Sequence, residues 1–119
     1  MTIEELQQIC LDLPGTTQDI KWEDHLCFNV GNKMYLVTSP DKIPHTASFK
    51  VSDDTFADLI EKDGFLPAPY LARYKWVFIE DISLLGKKEW EELIRTSYDL
   101  IFSKLPSRVK KEINLMNKN

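Results

Sequence analysis

The part of the sequence best suited to chemistry is a short run in which cations and aromatic rings alternate: Arg73, Tyr74, Lys75 and Trp76. Tyr70 lies just before this run. Because cations contact phosphates and aromatic rings stack on bases, such a run is typical of a nucleic-acid-binding surface. In the alternative, structural interpretation, Trp76 begins a buried strand and Arg73 pairs with a nearby carboxylate. The two interpretations are compatible, since a core strand can still present Arg73 and Lys75 at its edge.

Further cations are candidates for the same surface. A Gly-Asn turn at positions 31 and 32 precedes Lys33, and a lysine on a projecting turn suits a DNA-binding wing, although any soluble hairpin looks the same. Lys50 lies on the polar face of a predicted strand. Near the C-terminus, Lys104 is explained by the negative end of a helix dipole. Three more cations there form a small patch suited to a polyanion or an acidic protein: Arg108, Lys110 and Lys111.

Catalytic and metal-binding patterns are weak in this sequence. The four glycines are not clustered into a phosphate-binding loop, and no serine lies in a nucleophile elbow. His25 follows two acidic residues, but neighbouring residues on a strand point to opposite faces, so no acid–base pair is expected. The two cysteines, Cys10 and Cys27, do not form a zinc-ligand motif, and we expect both to be reduced with at least one in the core. We therefore predict no enzyme, no catalytic residue, no metal site and no cofactor.

Acidic side chains on the second helix offer the one alternative to that expectation. Asp53, Asp54, Asp58 and Glu61 could bind a cation, but carboxylates at a helix start are more often capping groups.

Hydrophobic periodicity predicts the elements that must position these residues. Thr2 and Glu5 form a capping box that begins the first helix. The predicted order is α-β-β-β-β-α-β-α, in one antiparallel sheet with the helices packed on one face, which is an α+β fold. The predicted helices lie at about 3–12, from residue 53 onward, and at 86–105, with a last helical turn or two at 107–116 before frayed residues 117–119. The predicted strands lie at 16–22, 26–30, 33–38, 47–51 and, at the centre of the sheet, 76–80. Residues 65–70 are predicted to form an extended surface loop.

Composition and charge exclude several classes of protein. The 119 residues are 43% hydrophobic and 29% charged, which is ordinary for a single domain over residues 1–119. The net charge is −4, whereas a strongly basic nucleic-acid binder carries the opposite sign. Residues 104–119, with the basic C-terminal tail at 107–119, hold five cations against Glu112. No stretch is long and apolar enough to span a membrane, and no signal peptide is expected at the N-terminus, so we expect a cytoplasmic protein with no membrane partner.

Four segments in order resemble the MmcQ/YjbR family of small bacterial proteins, over about residues 2–107. They are Leu-Pro-Gly at 13–15, the hairpin at 28–35, the run at 67–77, and residues 97–101 followed by Lys-Leu-Pro at 104–106. The resemblance implies a frataxin-like (CyaY-like) fold, described as a double wing, and a DNA-binding role. It implies neither a catalytic motif nor iron transport, because a fold does not transmit function.

These observations lead to one leading hypothesis and one alternative. The leading hypothesis is a non-catalytic DNA-binding protein that binds DNA weakly and in a salt-sensitive way. The alternative is a protein-interaction or small-ligand adaptor without nucleic-acid binding. The predicted nucleic-acid-binding residues are Lys33, Lys50, Tyr70, Arg73, Lys75, Arg108, Lys110 and Lys111.

Overall fold

The computed structural model describes residues 1–116, so the predicted fraying of residues 117–119 lies outside the described residues. There are four α-helices and six strands within this range. The helices are α1 (Ile3–Leu11), α2 (Asp53–Leu59), α3 (Lys87–Phe102) and α4 (Ser107–Met116). The strands are β1 (Thr16–Lys21), β2 (His25–Val30), β3 (Lys33–Ser39), β4 (Thr46–Lys50), β5 (Phe65–Pro67) and β6 (Trp76–Ile79).

The strands form one antiparallel sheet in the order β1-β2-β3-β4-β6-β5, which confirms the predicted α+β class. Two predictions about this edge of the sheet were wrong. The segment expected to be a surface loop at 65–70 begins with β5, which pairs with β6 along its whole length. Pro67 is tolerated there because an edge strand leaves one side of its backbone unpaired. As a result, β6 is an interior strand next to the edge and does not lie at the centre of the sheet.

One face of the sheet carries the core. The predicted capping box begins α1, because the Thr2 side chain accepts from the backbone of Glu5 and the Glu5 carboxylate accepts from the backbone of Thr2. Trp90 of α3 is fully buried, and its ring meets that of Phe49 edge-on at 5.4 Å between centroids. Its indole Nε1 donates to the carbonyl of Ile82 at 2.8 Å, so the buried polar atom is satisfied.

Ser97 joins α3 to two strands. Its hydroxyl donates to the carbonyl of Tyr35 at 2.5 Å and accepts from the backbone amide of Lys50 at 3.0 Å. The side chain is completely buried, so these bonds satisfy one backbone group on β3 and another on β4.

A β-bulge in β3 decides which side chains face the core. Phe28 pairs with Leu36, but Asn29 pairs with Met34, so Tyr35 is an extra residue in this strand. Tyr35 and Leu36 both enter the core as a result, although they are neighbours in a strand. Met34 consequently lies on the opposite side of the sheet.

Helix α4 spans the predicted range 107–116 in nearly three turns, and it packs across one end of the sheet. Val109 and Ile113 anchor it, as predicted. Gly31, in the β2–β3 turn, approaches it so closely that a Cβ there would lie 2.7 Å from Leu105 and 3.1 Å from Val109. This contact brings the β2–β3 turn to the corner between α3 and α4. Within residues 1–116, no helix is both long enough and apolar enough to cross a bilayer.

Candidate nucleic-acid interface

The face of the sheet opposite the helices is only partly covered. Residues that pair directly across strands share a face, so the register places Cys27, Val37, Ser48, Phe78 and Leu66 in one row across the sheet. None of the side chains in this row belongs to the helix-packed core, among the residues that the structure describes. We call this side the open face. Residues 68–75 cover part of it.

Over residues 70–76, the predicted basic and aromatic side chains differ in burial and in their contacts. Trp76 is only 5% exposed and opens β6 opposite Lys50, so its ring is not available to stack on a base. Tyr70, by contrast, is 98% exposed. The Arg73 guanidinium lies 4.8 Å from the centroid of the Tyr74 ring and donates to the Tyr74 hydroxyl at 2.8 Å. Arg73 therefore has an aromatic neighbour in place of the carboxylate partner considered for it, while Trp76 has the structural role.

Three lysines from different elements converge at one end of the sheet. Lys50 ends β4 and its ammonium donates to the carbonyl of Tyr74. Burial lowers the pKa of Lys50, and the charges of Lys104 and Lys75 lower it further, against the opposing effect of Asp53. Lys50, Lys75 and Lys104 thus lie within electrostatic range of one another, and we call these three residues the basic cluster.

Lys75 and Lys104 reach this cluster by different routes. The Lys75 ammonium lies 5.1 Å from the centroid of the Phe56 ring of α2, and its backbone adopts a positive φ of 66°. Lys104 follows the end of α3 and was interpreted from the sequence only as a partner of the helix dipole. Its position beside β4 depends on how α3 crosses the sheet, and no sequence pattern reports that.

The remaining predicted cations are more scattered. Lys33 is exposed on β3, next to the turn that contacts Leu105 and Val109, so it lies at the same end of the sheet as Lys104. Successive positions on α4 differ by about 100°, so Arg108 and Lys111, three residues apart, share one side of the helix and Lys110 points away from both. Lys118, the last cation of the predicted basic tail, lies outside the described residues.

A groove runs along the open face beside the covering segment. Its volume is about 660 Å³. Val37, Ser48 and Phe78 contribute to its floor, Trp22 lies on one side, and Tyr70 lies on the other. Among the described residues, no Asp, Glu, Lys or Arg side chain lines it. We call this the open-face groove.

Trp22 is the residue of the groove that sequence reasoning missed. It was assigned to the first strand, but β1 ends at Lys21 and Trp22 adopts a positive φ of 51°. Its ring is 65% exposed and meets the His25 ring edge-on at 5.8 Å between centroids. The turn residues that follow it, Glu23 and Asp24, were the available signal that the strand had ended.

The family model named YjbR matches residues 11–100, and these residues make up more than half of the chain. The chain belongs to the YjbR family. This confirms the resemblance predicted from the four segments.

Two solved structures are similar to this YjbR-family chain. One is a Deinococcus radiodurans protein with a DUF419 domain, which is 26% identical with a TM-score of 0.85, over 95% of this chain and 88% of that one. The other is a Pseudomonas syringae protein, 23% identical with a TM-score of 0.70, over 85% of this chain and 99% of that one; at this identity it shows the fold alone. No functionally curated protein matches the sequence. The likeness to frataxin and the double-wing description stay predictions.

Titratable groups elsewhere in the YjbR-family chain are arranged differently from the basic cluster. Strand alternation was expected to keep His25 and the acidic residues before it apart, but its Nδ1 lies 2.7 Å from a carboxylate oxygen of Asp24, although the two atoms are not aligned for a hydrogen bond. Asp24 lies in the β1–β2 turn, where the alternation of a strand does not apply. Cys10 and Cys27 are both free and buried, as predicted, and burial raises the pKa of the Cys10 thiol to about 12. Residues 1–116 contain no group of three or more potential metal-ligating side chains.

Proposed function

We propose that this YjbR-family chain is a non-catalytic DNA-binding protein and that the basic cluster contacts the phosphate backbone. One observation carries the proposal: Lys75 and Lys104, from two other elements, lie near enough for their charges to lower the pKa of Lys50, and within residues 1–116 none of the three forms a salt bridge with a carboxylate. Like charges that lie near one another repel, Asp53 opposes this repulsion at Lys50, and a bound phosphate would offset it further.

The charge of the whole chain limits the strength of such binding. The net charge is −4, so DNA approaches an acidic molecule that has one basic end. If the three lysines each neutralise one phosphate, the logarithm of the binding constant falls with the logarithm of salt concentration with a slope of about −2.7. We expect non-specific affinities, with dissociation constants of about 10⁻⁴ to 10⁻⁶ M.

The proposal is tested by fluorescence anisotropy of a labelled duplex at about 50 mM and about 200 mM salt. The variant is Lys75→Asn with Lys104→Gln; asparagine suits the positive φ at position 75. The matched control is Lys87→Gln with Lys88→Gln, which removes the same charge from the first turn of α3.

We expect the cluster variant to bind more weakly and its salt slope to become shallower by about 1.8, the value for two phosphate contacts. The control variant should keep the slope of the wild type, because only its net charge changes. If the wild type does not bind duplex or single-stranded DNA more tightly than about 10⁻⁴ M at low salt, the proposal fails. If both double variants behave alike, the assignment to the basic cluster fails.

A second candidate function is the small-ligand adaptor, and the open-face groove favours it. A volume of about 660 Å³ with mainly apolar walls is typical of small-molecule sites. This function predicts binding that does not depend on the basic cluster or on salt. The anisotropy series therefore separates the two functions.

A further inference from the structure

We infer that the open-face groove holds an unstacked base of single-stranded DNA, with the adjoining phosphate directed toward the basic cluster. This inference rests on the proposed function and specifies which form of DNA the chain prefers.

The chemistry of the groove suits a neutral planar ring. No Asp, Glu, Lys or Arg side chain among the described residues lines it, so a charged group would find only the His25 imidazole as a charged or chargeable partner. Nucleobases are uncharged rings with apolar faces and hydrogen-bonding edges, and they stack on aromatic side chains whatever their identity. Trp22 and Tyr70 supply two such side chains at the rim.

The polar groups of the groove are gathered where the edge of a base would need them. His25, Ser39 and Thr46 lie side by side on β2, β3 and β4, at one end of the groove. The apolar side chains of Val37 and Phe78 lie in the next row, beneath the face of a bound ring. Hydroxyl and imidazole groups both donate and accept hydrogen bonds, so this end can meet the edges of different bases.

The two rim aromatics are held in an unusual way. Trp22 has a φ of 51° and Tyr70 a φ of 66°, and bulky residues rarely adopt this left-handed region. Both rings are nevertheless exposed rather than packed against the core. Backbone conformations of this kind cluster at binding sites, where the surrounding structure maintains them.

The basic cluster lies at the other end of the groove. Ser48 lines the groove, and Lys50 is two residues further along β4 on the same face, a distance of about 7 Å. Lys75 precedes Trp76, which is the cross-strand partner of Lys50. A nucleotide whose base edge meets Ser39 and Thr46 therefore directs its phosphate toward Lys50 and Lys75.

The test compares three probes of equal length: single-stranded oligothymidylate, the corresponding duplex, and an abasic strand with the same phosphates and no bases. Intrinsic fluorescence reports on the groove, because Trp22 is exposed while Trp76 and Trp90 are buried. We expect oligothymidylate to bind at least about fivefold more tightly than the abasic strand, which is the smaller effect typical of one stacked base. It should also shield Trp22 from acrylamide quenching.

Two variants make the test specific to the groove. Tyr70→Asn removes a fully exposed ring at a backbone position that asparagine tolerates, and Trp22→Leu removes the other ring. Each should weaken binding of oligothymidylate by about fivefold or more and leave duplex binding unchanged. Leu66→Ala is the matched control, because Leu66 is an exposed apolar residue on the same face but outside the groove.

The outcomes distinguish this inference from the proposed function. If the abasic strand and oligothymidylate bind equally, or if Tyr70→Asn has no effect while duplex binding persists, the inference is overturned and the proposed function stands. If free thymidine shields Trp22 as well as the strand does at equal base concentration, the groove serves a small ligand and the inference is also overturned. If no DNA binds at all, both fail together.

Discussion

The two faces of the sheet are made from the same six strands, yet the open face leaves large aromatic rings in solvent at its rim. On the helix-packed face, Trp90 is fully buried against Phe49 and its indole nitrogen is satisfied. On the open face, Trp22 and Tyr70 remain in solvent at the rim of the groove. Burial is what converts an aromatic ring into folding free energy. The open face also buries Trp76, the cross-strand partner of Lys50, but its rim rings Trp22 and Tyr70 add little burial and remain accessible from solvent.

The largest expected effect separates two tryptophans. Trp90→Ala should destabilise the protein by about 3–5 kcal/mol, because it leaves a cavity in the core. Trp22→Leu, on the open face, should change the free energy of unfolding by about 0.5 kcal/mol or less, as surface substitutions do. Urea unfolding followed by circular dichroism measures both. Equal losses in the two variants would contradict the division of roles between the faces.

A smaller loss of stability is expected where Ser97 bonds α3 to β3 and β4. Ser97→Ala removes a hydroxyl that bonds Tyr35 and Lys50, and it should cost about 1–3 kcal/mol because buried backbone groups lose their partners. Thr96→Ala is the control, since the neighbouring Thr96 is exposed. The same urea experiment applies. A Ser97→Ala variant as stable as the control would mean that these bonds add nothing to the attachment of the helix.

Cys10 in the core and Lys50 in the basic cluster should change the free energy of unfolding in opposite directions at alkaline pH. Burial raises the pKa of Cys10 from its ordinary value of 9.0 to about 12. The folded protein keeps this proton while the unfolded chain releases it, so Cys10 makes stability fall as the pH rises from 9 toward 12. The pKa of Lys50 is lowered below 10.5, mainly by burial and then by Lys104 and Lys75. The unfolded chain then binds that proton more strongly, so Lys50 makes stability rise as the pH approaches 10.5.

Variants separate these two contributions. Cys10→Ala should flatten the alkaline loss of stability, and Lys50→Met should steepen it, when urea midpoints are compared at about pH 8 and about pH 10. Lys87→Met, on the exposed first turn of α3, serves as the control and should follow the wild type. Parallel pH profiles for all four proteins would contradict the assigned directions.

The smallest expected effect concerns Tyr70. Tyr70→Asn should leave the free energy of unfolding within about 0.5 kcal/mol of the wild type, because the ring makes little contact and asparagine accepts the left-handed backbone. A larger loss would show that the ring supports the fold of residues 68–75. In that case, the Tyr70 ring would contribute to stability as the buried rings of the helix-packed face do.

Much of the fold could be predicted because it depends on local patterns. The capping box at Thr2 predicted the start of α1, and the alternation of residues 26–30 predicted β2. Strand β5 was missed because it is three residues long and ends in Pro67, a composition that is typical of a loop. Only its pairing with β6 reveals it as a strand, and that pairing is a tertiary property.

The candidate site was less predictable, because its parts come from distant segments. Lys50 and Lys75 were predicted from their local sequence, but Lys104 joins them only through the path of α3. Trp22 was assigned to a strand, while Trp76 has the structural role considered for it and is buried. The open-face groove unites residues from two turns and four strands. Periodicity within one segment carries no information about such an arrangement.

The extra residue in β3 changes which side chains face each side of the sheet. Since Tyr35 and Leu36 both turn inward, Met34 turns outward and lines the groove. If β3 continued past Leu36 in strict alternation, Tyr35 would face outward and Met34 would face the interior. The interior would then lose the Tyr35 hydroxyl that bonds the carbonyl of Cys10. The one extra residue in β3 thus determines both the lining of the open-face groove and the hydrogen bond to the first helix. A change at this position therefore alters the two together.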